Sequence, residues 1–272
     1  MNFLSEILKK KRERVELARQ QVSPEVVRAG AKIVRASAKP HALSNALTNH
    51  EINIIAEFKR KSPSKGPIRP NANATLIANA YRLGGAAAIS VLTEEDYFNG
   101  SLNDLREIKR AVELPVLRKD FIVDDYQVYE AASAGADSIL LIVAALEDPV
   151  LERLLDLTEN ELRMDALVEV HTSEEMRRAK DLGAHLIGVN NRDLHTFHVS
   201  LETSVKLSSE APDDSILISE SGLETNDDLS RLREVGYRGF LIGESLMRAE
   251  DPVASLLALQ QKECKGDPRV SR

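Results

Sequence analysis

From Ile54 onward the chain alternates short apolar runs with amphipathic stretches. The apolar runs are NIIAEF (53–58), AAAISVL (86–92), PVLRKDF (115–121), DSILLIVA (137–144), ALVEV (166–170), LIGVN (186–190), SILIS (215–219) and GFLIG (239–243). Their length and aliphatic, β-branched content predict strands. Between them TLIANAYRL, SLNDLREIKRAV, DYQVYEAASA, DPVLERLLDLTE, TSEEMRRAKDL and TNDDLSRLREV carry the spacing of helices. Strands alternating with helices at this interval imply right-handed βαβ units and a parallel sheet. Eight units whose strands are apolar on both faces suit a closed barrel better than an open sheet. Four helices end in a glycine that leads straight into a strand, at Gly85, Gly135, Gly183 and Gly236. Glycine there closes a helix in the left-handed conformation, and the four precede the even-numbered strands. The predicted fold is an α/β (β/α)8 TIM barrel with an N-terminal helical extension.

Before the first strand, Phe3, Leu4, Ile7 and Leu8 recur at helical spacing, and Ser23-Pro24-Glu25 restarts the helix with Ser as cap and Pro at its first position. Some fifty residues make a poor core alone, so residues 1–50 are expected to pack on a barrel spanning 51–258, with 259–272 a polar tail. A barrel of about 250 residues fits a chain of 272. The net charge of −7 argues against a nucleic-acid partner. An anionic ligand then needs a local basic cluster, and Lys59, Arg60, Lys61 and Lys65 offer one. The single cysteine, Cys264, allows no intrachain disulfide. Residues 9–14 are almost wholly charged, unlike a signal peptide, and the longest apolar run, Ile139 to Leu146, is too short to span a bilayer. A cytoplasmic protein without a membrane partner, a monomer or weak homodimer, is expected.

The first strand holds two charges, Glu57 and Lys59, two positions apart and so on one face. Burying such a pair is costly unless it is paired or used; an edge strand whose polar face meets water is the plain alternative. In this fold the reactive groups sit at the C-terminal ends of the strands. Collected there are Glu57 and Lys59 from the first strand, Lys119 from the third, Glu169 from the fifth, Asn190 and Arg192 from the sixth, and Glu220 and Ser221 from the seventh. Any one of these suits a solvated rim; five strand ends carrying charge or amide point to a site. The last two loops, Glu220-Ser221-Gly222 and Gly243-Glu244-Ser245, have the small residues that let backbone N–H groups face a phosphate. His195 and His198 are spaced H-x-x-H, but no third ligand type clusters with them, so a polar loop is the better account. His171 is expected to begin a helix with Thr172 and Ser173. No nucleotide fingerprint is present.

The segments IIAEFKRKSPSKG, VLTEEDYFNGSLNDL, PVLRKDF, LVEVHT, IGVNNRDL, SESG and GFLIGESLM, in this order over about residues 50 to 250, resemble the indole-3-glycerol-phosphate synthase family. The resemblance implies a cofactor-free, metal-free enzyme of tryptophan synthesis. Its phosphorylated small-molecule substrate would be 1-(2-carboxyphenylamino)-1-deoxyribulose 5-phosphate, which closes to an indole with loss of carbon dioxide and water. It assigns Lys119 as general acid, its pKa lowered by a cationic, partly desolvated surrounding, and Lys59 as the contact to anionic groups and donor in the dehydration. Glu169 becomes the general base, with Glu57 sharing or taking that role. Asn190, Arg192 and Glu220 would order the sugar hydroxyls and the lysines, Ser62 and Phe121 would lie near the anthranilate ring, and Ser221, Gly222, Leu241, Gly243 and Glu244 would complete the substrate and phosphate site. Some members have serine where this chain has Glu244, so only a backbone contact is expected there. The resemblance also implies an extension over the top of the barrel, a mobile basic flap after the first strand, and no fused isomerase barrel. The rival readings are a Schiff-base aldolase using Lys119 or Lys59, and a catalytically dead sugar-phosphate sensor.

Overall fold

The computed structural model describes residues 3–194 and 196–260. Cys264, most of the expected polar tail, and His195 lie outside the described residues. Eight strands close into an all-parallel barrel in which each pairs with the next and the last with the first. They are β1 (Asn53–Phe58), β2 (Ala88–Leu92), β3 (Val116–Lys119), β4 (Ser138–Ile142), β5 (Asp165–Val170), β6 (Leu186–Asn190), β7 (Ile216–Glu220) and β8 (Tyr237–Ile242). All eight predicted runs are strands. They read as nearly unbroken apolar stretches because both faces are covered. Ile54, Ala56 and Phe58 point outward into a layer beneath the helices, while Ile55 joins Ala88, Leu117, Leu140, Leu167, Leu186, Ile218 and Leu241 in the interior.

Twelve helices accompany the barrel among the described residues: α1 (Phe3–Gln21), α2 (Pro24–Arg35), α3 (Ala42–Ala46), α4 (Ala74–Leu83), α5 (Leu102–Ala111), α6 (Asp125–Ala134), α7 (Asp148–Asp156), α8 (Ser173–Asp181), α9 (Glu202–Ser208), α10 (Asn226–Glu234), α11 (Glu244–Arg248) and α12 (Pro252–Gln260). The six helices read from the sequence are α4, α5, α6, α7, α8 and α10. Side chains of Asn73, Ser101, Asp124, Thr172 and Thr225 cap five of these six N-termini, satisfying N–H groups that have no partner inside the helix. The predicted left-handed conformation holds at Gly85, Gly135, Gly183 and Gly236. Ser23 precedes α2 with Pro24 at its start, as the sequence indicates, but makes no side-chain cap bond.

The extension reaches both ends of the barrel, where an arrangement over the top alone was expected. At the top, α1 ties to the loops after β2 and β3: Lys11 Nζ lies 2.8 Å from Asp120 Oδ1 and 3.2 Å from Glu95 Oε2, and Arg14 pairs with Asp96. α2 packs on α6. At the bottom, α3 directs Leu43 and Leu47 into the interior cluster, and Asp165 Oδ2 accepts the backbone N–H groups of Leu43 and Ser44 at 2.8 and 3.2 Å. The bottom needs a stopper because the interior of an eight-stranded barrel must be filled by side chains. Among the described residues no helix is long and apolar enough to cross a membrane.

Candidate active site

Alternation along each strand decides which polar residues enter the barrel. Glu57 follows Ile55 by two positions, Lys119 follows Leu117, Glu169 follows Leu167 and Glu220 follows Ile218, so all four share the interior face at the C-terminal end. The structure brings them together. Lys119 Nζ makes a short hydrogen-bonded ion pair with Glu220 Oε2 and lies 3.8 Å from Glu57 Oε2 and 3.9 Å from Glu169 Oε2. Glu57 bridges two cations, its Oε1 taken by a short ion pair with Lys59. The three carboxylates are buried, Glu220 completely. One ammonium thus faces carboxylates from three other strands.

Two glycines create the space. A Cβ on Gly188 of β6 would collide with Glu220 Oε1, and one on Gly243, just beyond β8, would collide with Glu57 Oε1 and lie 2.9 Å from its Cβ. Gly243, expected as part of a phosphate cradle, is therefore also what admits Glu57.

The electrostatics of Lys119 differ from the sequence expectation. Its surroundings are acidic, not cationic. Burial works against the ammonium, but the charges of Glu220, Glu57 and Glu169 and the hydrogen bond to Glu220 outweigh it, so the pKa is raised rather than lowered. Glu57 is also opposed by burial, yet Lys59, Lys119 and Arg192 bring its pKa below the ordinary value. Glu220 goes the other way: burial, reinforced by Glu169 and Glu57 against the pull of Lys119, pushes it up to about 7.

The loops complete the mouth. Asn190 Oδ1 accepts the Ser221 hydroxyl at 2.9 Å and the Arg192 N–H at 3.0 Å, joining the β6 and β7 ends. Ser221 and Gly222 both have positive φ, and a Cβ on Gly222 would meet Val199 Cγ1 at 2.5 Å. Arg192 is half-buried and forms a bridge with Val199. Glu244 opens α11, its carboxylate turned to Arg248 Nε at 3.1 Å. Leu241 belongs to the interior cluster, and Phe121 is half-buried, 6.5 Å from Phe98 centroid to centroid.

The basic segment after β1 is more tightly held than the sequence suggests. Lys61–Ser62 pairs antiparallel with Gly66–Pro67, and Ser62 is buried, its hydroxyl accepting the Lys65 N–H at 3.2 Å. Arg60 is not available to an anion: it clamps Asp104 of α5 with two hydrogen bonds, reaches the Ala72 carbonyl at 3.1 Å and stacks 4.8 Å from the Phe58 ring centroid.

Two neighbouring side chains escaped the sequence reading. Asn191 is a buried hub whose amide nitrogen donates to Ser219 Oγ and the Ser221 carbonyl while its oxygen accepts from Ser204. The doublet Asn190-Asn191 is its only signal. His171 lies one residue before the capping Thr172 of α8, outside the helix it was expected to begin, and its Nε2 lies 3.4 Å from Glu169 Oε1. Its position two residues past Glu169 is the signal that could have found it. Among the described residues no group of three His, Cys, Asp or Glu is placed to hold a metal ion.

Comparison with known proteins converges on one family. The family profile described as indole-3-glycerol phosphate synthase matches residues 4–259. Proteins named indole-3-glycerol phosphate synthase from Bacteroides thetaiotaomicron and Carboxydothermus hydrogenoformans are 42% and 43% identical to this chain. Each match covers 94% of this chain, and 96% and 99% of the respective relatives. A third, from Koribacter versatilis, is 49% identical over 76% of this chain and 80% of its own length. Among solved structures, 3-hexulose-6-phosphate synthase from Salmonella typhimurium superposes with a TM-score of 0.62 at 12% identity, covering 76% of this chain and 96% of that one. Thiamine phosphate pyrophosphorylase from Pyrococcus furiosus does so with 0.57 at 18%, covering 77% and 94%. These two likenesses show the barrel alone, whereas a profile match along almost the whole chain, with relatives above 40% identity, shows that this chain belongs to the indole-3-glycerol phosphate synthase family of carboxy-lyases.

Proposed function

We propose that this chain converts 1-(2-carboxyphenylamino)-1-deoxyribulose 5-phosphate to indole-3-glycerol phosphate in tryptophan biosynthesis, with Lys119 as general acid and Glu169 as general base. The observation that carries the assignment is the ammonium of Lys119 held among Glu57, Glu169 and Glu220 at the barrel mouth. In the first step a ring carbon bonds to the ketone carbon as Lys119 protonates the ketone oxygen. The carboxylate then leaves as carbon dioxide, and its bonding pair restores the aromatic ring. In the second, Lys59 protonates the departing hydroxyl, which leaves as water, while Glu169 takes the proton whose loss forms the indole double bond. Two protons are delivered and one is removed, so each turnover draws one proton from solvent.

Against the pull of burial, the neighbouring carboxylates keep Lys119 loaded with its proton. Glu57, claimed by both lysines, suits the task of aiming the two donors better than that of base. Asn190, Arg192, Ser221, Gly222, Gly243 and the backbone of Glu244 would receive the sugar and phosphate, and Ser62, Phe121 and Leu241 the anthranilate ring. The raised pKa of Lys119 counts against the Schiff-base aldolase, which needs a neutral amine.

The direct test is to incubate purified protein with the carboxyphenylamino ribulose phosphate and follow indole fluorescence. Absence of product at high enzyme concentration would sink the proposal. Lys119→Met should lower kcat by at least about 100-fold, the scale of general acid catalysis, with an unchanged circular dichroism spectrum; retained turnover would mean the wrong acid.

A further inference from the structure

Glu169 has two oxygens, and the proposed chemistry uses one. Its Oε2 faces Lys119 Nζ, while Oε1 faces His171 Nε2 at 3.4 Å. The His171 side chain is 8% exposed, and its Nε2 is buried with no hydrogen-bond partner among the described residues. The ring is held from behind. Glu175 Oε2 lies 3.1 Å from His171 Nδ1 and accepts the His171 backbone N–H at 2.7 Å. Glu175 is in turn fixed by the start of α8, where its N–H donates to the cap Thr172. One carboxylate oxygen therefore sets both the backbone and the ring of His171, in the manner of a partner that fixes the orientation of a functional imidazole.

We infer that His171 is a positioning residue for Glu169: anchored by Glu175, its ring takes one oxygen of the Glu169 carboxylate and leaves the other turned toward Lys119 and the reacting atoms. This rests on the reading of Glu169 as the base. Without the ring, Glu169 is free to turn both oxygens onto Lys119, and a base displaced by an ångström loses rate on the order of 10–100-fold. The charged groups around the ring are Glu175 from α8, Glu169 from β5 and, farther off, Glu220 from β7. Burial opposes the imidazolium, but the hydrogen bond to Glu175 and these three charges raise its pKa above the ordinary 6.5. A protonated His171 presents a positive Nε2–H edge to Glu169 Oε1 within ion-pair reach; a neutral one with its hydrogen on Nδ1 does not.

The test is a kinetic comparison of the wild type, His171→Ala and Glu175→Gln on the carboxyphenylamino ribulose phosphate. His171→Ala should lower kcat by on the order of 10–100-fold with KM within about twofold, and added imidazole should restore part of it. The wild-type kcat should decline at alkaline pH as the imidazolium is lost. That limb should move to lower pH in Glu175→Gln, which removes a charge favouring the imidazolium, and be absent in His171→Ala. A nuclear magnetic resonance titration of the His171 ring reads the same contact without turnover: its pKa should fall in Glu169→Gln. Unchanged kcat in His171→Ala, a loss of kcat without rescue or change in the pH limb, or a His171 pKa indifferent to Glu169→Gln would each overturn the inference. Should His171→Ala fail to fold, Glu175→Gln and the titration decide it. A wild type that forms no indole product overturns the proposed function instead, while an active wild type with indifferent variants overturns only the role of His171.

Discussion

Three carboxylates and two ammonium groups share the barrel mouth, and burial makes the surplus negative charge costly. The surplus is relieved at Glu220, which is fully buried and pushed up to about 7 while Glu57 is lowered. The stability consequence has a definite sign. The native state holds a proton on Glu220 that the unfolded chain releases near its ordinary 4.5. Its contribution is therefore complete below pH 4.5 and lost as pH rises through 7. Glu220→Gln removes that dependence, so the variant should gain on the wild type between pH 5 and 8, by up to about 3 kcal/mol in urea melts, even as it loses activity. A flat difference across that range would refute the raised pKa. Gly188→Ala tests the packing of the same carboxylate: its Cβ cannot coexist with Glu220 Oε1, so kcat should fall by about tenfold or more, the cost of a misplaced group. The carboxylates and Lys119 were legible as charges breaking apolar strands. The role of Gly188 was not, because nothing local to LIGVN says that a carboxylate from the next strand must lie over it.

The strands read correctly because parallel strands buried on both faces leave short, dense apolar runs. Short helices such as α3 and α9 were invisible for the opposite reason. α3 and α9 have five and seven residues, too few turns for a helical period to stand out. The segment after β1 has the composition of a loose loop, rich in Lys, Ser, Pro and Gly; Arg60 and the Lys61–Ser62 pairing tie it down through partners on α5 and beyond the turn. Asn191 does the same for the loops at the other side of the mouth, linking the end of β6 to β7 and α9. Asn191→Ala should deprive the Ser204 N–H and the Ser221 carbonyl of their hydrogen bonds, the Ser204 and Ser219 hydroxyls keeping each other, and cost about 2 kcal/mol in chemical denaturation, with KM rising as Ser221 loosens. An unchanged midpoint would make the hub dispensable.

At the scale of the molecule, the first fifty residues hold the barrel from both ends. Lys11 and Arg118 enclose Asp120, the residue after Lys119. Burial disfavours that carboxylate, but Lys11 and Arg118 bring its pKa down to about 2. Asp120→Asn would take the shared carboxylate from two buried cations, leaving Lys11 to Glu95 and Arg118 to Glu130, and should destabilise the fold by about 2 kcal/mol. At the bottom, Leu43 is fully buried in the interior cluster, and Leu43→Ala should cost about 3 kcal/mol or more in a thermal or urea melt; a loss below about 1 kcal/mol would mean that α3 does not seal the barrel. By itself the sequence determined the eight strands, their helices, the closed barrel and the strand ends that carry charge, since those follow from period and composition, which are local. It also carried the family motifs. Only the tertiary structure decided which charge meets which: that Lys119 faces three carboxylates and is raised, that Arg60 belongs to Asp104, that glycines of β6 and the β8 end make room for Glu220 and Glu57, that His171 stands behind Glu169, and that the extension closes the bottom. Pairings, desolvation and close approach depend on distances between residues far apart in the chain, and no local pattern encodes them.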